Sequence, residues 1–505
     1  MPFRLTGPKN ASTLTGMNRH LAAALVFLSS AAVLVFEIVA ARLLTPYVGN
    51  TLETYTAIIG VILAGIAAGS WAGGKAADRH NPTNLIGPLL VVGGGLAFLS
   101  IPIVDALGAG LRGAGPVTTT IITVFAFFAP AAVLSAVTPA VIKLQLSSLA
   151  ETGRVVGRLS AISTTGAILG TFLTGFVLVG LFPSRSIVRF TAAFLILLGV
   201  WALWTLRRRR AITVTGVALI GFAVIFSYAG SHPCVYESRY FCAYVTTDPD
   251  RPSGRALWLD TLRHSYVDLN DPGYLEFLYM QWFGDVLDAY APTLAPFDAV
   301  HVGGAGFTMP RYLDHRFAGS TSTVLELDPL VVSIATRELG LPIDHPYTVK
   351  IGDARATIRP TGEANVVIGD AFGGVAVPWH LTTVEFTTKV SDTLSFDGVY
   401  MMNVIDYEEK AFVKAQLATL SAVFEHVAAV GRNDAFTTRS GGGNMVLVAS
   451  NTPIPLAGIV AANRARGRDD VVLTGAELAA FIVDAQPLTD DFAPVDQLLT
   501  PRPSL

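Results

Sequence analysis

Asp298-Ala299-Val300-His301-Val302-Gly303-Gly304-Ala305-Gly306 decides the fold of the C-terminal half. The first five residues read as a strand, and the glycines after it open a helical-looking segment. Glycine lets the backbone approach a ligand closely and lets a helix start directly after a strand. A second strand, 323–327, ends Leu325-Glu326-Leu327-Asp328, about 20 residues on, where an acidic residue accepts from ribose hydroxyls. The strand 347–351 leads into Gly352-Asp353-Ala354, where a carboxylate accepts from an adenine amino group, and 365–368 leads into Gly369-Asp370-Ala371-Phe372. Further strands are expected at 398–404 and 445–449, with helices at 331–339, 384–394 and 408–423 between them. This alternation predicts an α/β fold with a parallel, doubly wound, Rossmann-like sheet, binding its ligand beyond the carboxyl ends of the strands. Each acidic strand end alone reads equally well as a helix cap. Four informative strand ends in register, one glycine-rich and three acidic, point to one site. The glycine turn lacks the full dinucleotide spacing, which favours an adenosyl ligand over NAD.

Outward from that core, the 505 residues divide in two. Hydrophobic residues make up 51% and charged residues 14%, against roughly 25% charged in soluble domains. Residues 1–230 hold 16 Lys/Arg and 5 Asp/Glu; residues 231–505 hold 19 and 33. The basic half carries apolar runs at 21–41, 54–73, 85–104, 117–137, 159–181, 187–206 and 211–229, each near the roughly 20 residues that span a bilayer. An α-helical membrane domain of about seven spans follows. The first run, preceded by Arg4, Lys9 and Arg19, reads as a retained helix rather than a signal peptide.

Twelve Lys/Arg lie in the loops on one side (Arg4, Lys9, Arg19; Lys75, Arg79; Lys143, Arg154, Arg158; Arg207 to Arg210) and four on the other (Arg42, Arg112, Arg185, Arg189). Positive charge marks the cytoplasmic side, so the N-terminus is expected inside and, after seven spans, the C-terminal domain outside. Cys234 and Cys242 are the two cysteines. Paired, they suit an extracytoplasmic compartment; unpaired thiols are the alternative. Three regions are expected: 1–230 polytopic, 231–296 a small β-rich region with a linking helix, and 297–505 the Rossmann-like domain.

Within the membrane half, Glu37 either lines a ligand path or pairs with nearby Arg42. Gly74-Lys75-Ala76-Ala77-Asp78-Arg79 resembles the G-x-x-x-D-R loop of major facilitator transporters. Gly65, Gly69, Gly73, Gly166, Gly170 and Gly175 suit close helix packing.

The soluble half as a whole resembles spermidine synthase, and its union with a membrane half resembles bacterial fused transporter/spermidine synthases. The resemblance rests on Glu237-Ser238-Arg239-Tyr240, Val302-Gly303-Gly304-Ala305-Gly306, Leu325-Glu326-Leu327-Asp328-Pro329 and Gly352-Asp353-Ala354. Asp370-Ala371-Phe372, 377–383, Glu385-Phe386 and Leu488-Thr489-Asp490-Asp491-Phe492-Ala493-Pro494 extend it. It implies a methyltransferase-type sheet behind a β-hairpin region, and decarboxylated S-adenosylmethionine or a related adenosyl compound as co-substrate. By the same resemblance, Gly303, Gly304 and Gly306 approach the methionine-derived part, Glu326 holds the ribose, Asp353 and Ala354 face the adenine, and Tyr279 lines the amine pocket. Asp370 is implied as the catalytic carboxylate, because an ammonium has no lone pair until a base removes its proton.

Three positions depart from the family. Its glycine turn contains an aspartate where Ala305 runs directly into Gly306, Gly373 stands where it has a second aspartate, and His264 stands where a glutamine contacts the co-substrate. Asp406, Asp490 and Asp491 either compensate for the missing charge or are solvated loop residues. His380 beside Trp379 reads as packing, and nine scattered histidines give no metal-ligand spacing. The functional expectation is a membrane-anchored aminopropyltransferase-like enzyme in the cell membrane. The alternatives are an extracytoplasmic transferase acting on a lipid or glycan acceptor, and a transporter with a ligand-binding soluble domain. The expected partners are a lipid bilayer and a small-molecule amine or membrane-associated acceptor, with a homodimer left open. An acidic half excludes nucleic acid.

Overall fold

The computed structural model describes residues 17–49, 52–111, 116–146, 148–206, 214–228 and 232–500. Arg4, Lys9, Arg112, Arg207 to Arg210 and the boundary expected near Ser231 lie outside them. The chain forms two compact units, Met1–Cys242 and Ala243–Leu505.

Among the described residues of the first unit six helices are long and apolar enough to cross a membrane: α1 (Arg19–Val48), α2 (Thr54–Arg79), α3 (Pro82–Gly110), α4 (Pro116–Gln145), α5 (Leu149–Leu181) and α6 (Ser184–Leu206). Of the seventh expected span, the described part is the 13-residue helix α7 (Val214–Phe226), short of the roughly 20 residues a crossing takes. Small residues let the helices meet. A Cβ on Gly69 would lie 1.9 Å from the Ala132 carbonyl of α4, and one on Gly166 would lie 2.3 Å from the Phe27 carbonyl of α1. Gly175 faces open space and has no such role.

The stretch expected as a facilitator-like loop is instead the last turns of α2, where Asp78 accepts from Lys143 of α4 at 2.8 Å. Arg42 does not pair with Glu37. Its guanidinium goes to Glu237 at 3.3 Å, and Glu37 Oε2 is buried without a hydrogen-bond partner. Cys234 and Cys242 form a disulfide.

The second unit begins with antiparallel strands β1 (Cys242–Thr247), β2 (Gly254–Leu259) and β3 (Leu262–Asp268), followed by helix α8 (Leu278–Leu294). The large sheet then builds from β4 (Asp298–Val302), α9 (Thr308–Arg316), β5 (Thr321–Glu326), α10 (Pro329–Glu338), β6 (Thr348–Ile351), α11 (Ala354–Thr357), β7 (Ala364–Gly369), α12 (Val384–Thr393), β8 (Leu394–Tyr407), α13 (Ala411–Ser421), β9 (His426–Gly431), β10 (Gly442–Ser450), α14 (Leu456–Ala465) and β11 (Val471–Thr474). The strand order is β11-β9-β10-β8-β7-β4-β5-β6.

Strands β8-β7-β4-β5-β6 are parallel; β10, β9 and β11 run antiparallel. The sheet is therefore mixed, not parallel throughout. The link from Gly431 to Gly442 is too short for a parallel crossover, which needs a dozen residues or more. Strands β9 and β11 were not expected from the sequence. Helix α13 starts at Ala411 rather than at 408 because Glu408 and Lys410 take left-handed backbone.

Helices cover both faces of the sheet. Val367, Tyr400, Met402 and Val404 pack with Phe386, Phe412 and Leu417 on one face. Val366, Ile368, Val399 and Met401 pack with Trp282, Phe283 and Ile459 on the other. That period-2 alternation between two apolar layers explains why the central strands read as continuous hydrophobic runs.

Candidate active site

The chain turns from β4 toward β5 and β6 on one side, and returns to β7 on the other side of β4. The crevice beyond the carboxyl ends of β4 and β7 is thus the switch point where doubly wound sheets bind ligands. Gly303 and Asp370 face each other across it. Asp370 N–H donates to the Val302 carbonyl at 2.9 Å. Gly303 has φ +100°, and a Cβ there would sit 2.4 Å from the Asp370 carbonyl. Both the turn and the close approach require glycine.

The Asp370 carboxylate is the centre of the site. Tyr279, in the first turn of α8, donates its hydroxyl to Oδ2 at 3.1 Å, and Asn403 of β8 donates its side-chain amide to Oδ1 at 2.9 Å. Asn444 of β10 donates in turn to Asn403 Oδ1 at 3.0 Å. Burial pushes the Asp370 carboxyl up to about 6, against the lowering effect of its two donors. Burial and the neighbouring Asp370 raise the Tyr279 phenol well above its ordinary value, so it stays a donor. A cavity of about 380 Å³ opens onto this group, lined by Asp370, Tyr279, Asn403, Asn444, His264 and Ala305 among others. Burial pushes the His264 imidazole down to about 4, so it is neutral near pH 7. Asn403 and Asn444 escaped the sequence reading, since an uncharged amide inside a strand carries no motif.

Glu326 is buried and turned to the glycine loop. Oε2 accepts from Gly304 N–H at 2.9 Å and Ala305 N–H at 3.2 Å, and Oε1 accepts from Asp328 N–H at 2.9 Å. Three of a carboxylate's roughly four acceptor positions are thereby taken, which leaves room for one ribose hydroxyl rather than two. Gly304 packs on that carboxylate, and a Cβ on Gly306 would strike Ser265 Oγ of β3 at 2.3 Å. The protein's own packing thus already requires these glycines.

Asp353 caps α11 through Arg355 N–H at 2.9 Å, and its Oδ2 lies 2.7 Å from His380 Nε2. Ala354 is the buried first residue of that helix. Neither Glu326 nor Asp353 lines the cavity at Asp370.

The three compensating aspartates are not there either. Asp406 is fully buried, and its carboxylate accepts from the N–H groups of Tyr407, Phe412, Val413 and Thr500. It serves unpaired amides at the start of α13, which corrects its expected substrate role. Asp490 is bound to Arg355 at 2.5 Å and to Thr383, and Asp491 is exposed. Neither lines the cavity.

No family model matches the chain. A curated polyamine aminopropyltransferase of Vibrio vulnificus is 29% identical over 158 residues, 30% of this chain and 50% of that protein. A probable polyamine aminopropyl transferase of Bifidobacterium longum is 27% identical over 139 residues, 26% of this chain and 31% of that protein. The C-terminal half is thus similar in sequence to these polyamine aminopropyltransferases. Among solved structures, a probable spermidine synthase from Corynebacterium glutamicum aligns at TM-score 0.47 and 26% identity, covering 53% of this chain and 98% of that chain. The spermidine synthase-like match spans half of the Vibrio protein and less of the Bifidobacterium one.

Proposed function

We propose that the C-terminal half moves an aminopropyl or related group from an adenosyl sulfonium, decarboxylated S-adenosylmethionine or a close relative, to the nitrogen of an amine. The observation that carries this reading is a single buried carboxylate, Asp370, held by Tyr279 and Asn403 at the switch point and open to a cavity. An acceptor ammonium gives one proton to Asp370 and so frees its lone pair. Nitrogen then bonds to the carbon beside the sulfonium as the carbon–sulfur bond breaks. Both electrons of that bond go to sulfur, which leaves a neutral thioether, and the positive charge passes to nitrogen. A carboxylate raised to about 6 is ionised at neutral pH and still basic enough to take the proton. In this reading Gly303, Gly304 and Gly306 lie along the donor, Glu326 takes one ribose hydroxyl, and Asp353 with Ala354 forms the adenine end.

In this reading the membrane half anchors this activity in the cell membrane with the N-terminus cytoplasmic, and the C-terminal half lies outside only through a seventh crossing that includes α7, beyond the six membrane-length helices. The disulfide Cys234–Cys242 supports that side, and the positive charge in the loops supports the orientation. The same disulfide favours a second reading, an extracytoplasmic transferase using this site on a lipid or glycan acceptor, because adenosyl sulfonium donors are made in the cytosol.

Purified full-length protein in detergent, given the donor and an amine, is expected to release the thioether. Asp370→Asn is expected to bind the donor and release none. Absence of adenosyl binding at millimolar donor refutes the reading.

A further inference from the structure

The cavity at Asp370 holds little negative charge. Among its described lining residues Asp370 is the one carboxylate, Arg263 the one permanent cation, and His264 is neutral. The rest of the wall is largely apolar or aromatic, including Leu262, Phe277, Phe372, Val375, Ile405 and Leu499. Arg263 is fixed in place: its guanidinium lies 4.7 Å above the Phe277 ring and 3.4 Å from Glu276. Phe277 in turn stacks on Tyr279 at 5.7 Å, so the arginine's charge stands one ring away from the phenol that holds Asp370.

A diamine or longer polyamine brings a second ammonium. In this cavity that charge meets no second carboxylate. Toward Arg263, exposed and paired with Glu276, it gains no attraction; against the apolar wall it loses hydration without compensation; and Asn444, Tyr407 and Thr500 offer it dipoles rather than a counter-charge. An acceptor with one amine on an apolar or aromatic body meets no such penalty. It places its nitrogen on Asp370 and its body against Phe277, Phe372 and Leu499.

We infer that the acceptor of this site is a monoamine carried on an apolar or aromatic body, and that Arg263 with the apolar wall rejects polyamines. This inference rests on the transferase reading above and narrows it. The bond changes are those already given, with the monoamine nitrogen as nucleophile.

The test is equilibrium binding to the full-length protein in detergent. The probes are phenethylamine and putrescine, each added with saturating 5′-methylthioadenosine, the thioether that the transfer leaves behind. Phenethylamine is expected to bind at least about tenfold more tightly than putrescine. Two variants are expected to shift the preference toward putrescine by about tenfold or more: Arg263→Gln, which removes the cation, and Gly373→Asp, which adds a carboxylate. Gly373 adjoins the lining residues Phe372 and Gly374, and a Cβ there meets nothing within 4 Å. If the thioether binds but putrescine is preferred, or if neither amine binds, the acceptor inference is overturned while the transferase reading stands. If the thioether itself does not bind, the transferase reading falls and takes the inference with it.

Discussion

Asn403 donates its side-chain amide to Asp370 Oδ1 at 2.9 Å from the neighbouring strand of the sheet. The two positions are adjacent in register, since Gly369 at the end of β7 pairs with Met402 of β8. A one-residue slip would turn Asn403 to the opposite face, so the strand pairing itself sets the base.

This pairing fixes the acid limb of the reaction. Asp370 must be ionised to accept a proton, so kcat/KM is expected to fall as pH drops through about 6. Asn403→Ala removes a donor that favours the ionised form, so the limb should move to higher pH, and Asn444→Ala should move it less. A pH–rate profile checks this; an unmoved limb in Asn403→Ala would mean the amide does not act on the carboxylate.

The same carboxylate costs stability. Its folded value of about 6 stands above the ordinary 3.8, so the folded state holds a proton that the unfolded chain has released. Stability therefore falls as pH rises between those values and is flat above about 6. Each tenfold difference in proton affinity between the folded and unfolded chain is worth about 1.4 kcal/mol. Asp370→Asn is accordingly expected to stabilise the fold at pH 8 by up to about 3 kcal/mol. The gain should shrink toward pH 4. It should come with at least a hundredfold loss of transfer, the order expected when a general base is removed. Thermal unfolding at the two pH values, beside the rate, tests both halves.

Glu326 and Asp353 look alike in sequence and differ in the structure. Glu326→Gln places an amide N–H against backbone N–H donors, and should destabilise the second unit by roughly 2–4 kcal/mol even without ligand. Asp353→Asn weakens a half-exposed pair with His380 and should cost less than about 1 kcal/mol. Equal costs in a denaturant titration would contradict the distinction.

Asp406 is expected to behave as a framework residue. Asp406→Ala leaves the N–H groups of Phe412, Val413 and Thr500 without their acceptor, at roughly 1–3 kcal/mol for each buried group left unpaired. Unfolding should shift strongly, and because Asp406 holds Thr500 beside the wall residue Leu499, a rise in the KM for the amine is expected only together with that loss of stability. A raised KM at unaltered stability would return Asp406 to the site.

The strand-and-glycine frame was legible because glycines stand at the ends of β4, β6 and β7, acidic residues stand at the ends of β5, β6 and β7, and buried parallel strands are read as apolar runs. Asp406 was misjudged for a physical reason: a carboxylate after an apolar strand has the same sequence signature whether it meets a ligand or the free amides of the next helix. The antiparallel edge was illegible because β9, no shorter than β4, and the four-residue β11 carry no glycine–acid pair at their ends, and no helix separates β9 from β10 at crossover length. Asn403 and Asn444 gain their importance only from register, which one strand's sequence does not display.

The most direct test of the central claim is a single turnover with decarboxylated S-adenosylmethionine labelled in its propylamine arm, using full-length protein and excess phenethylamine. Label should pass to the amine as one equivalent of 5′-methylthioadenosine appears, and Asp370→Asn should retain the labelled donor unreacted. Native protein that leaves the donor unbound, or an Asp370→Asn variant that transfers label at the native rate, would contradict the account.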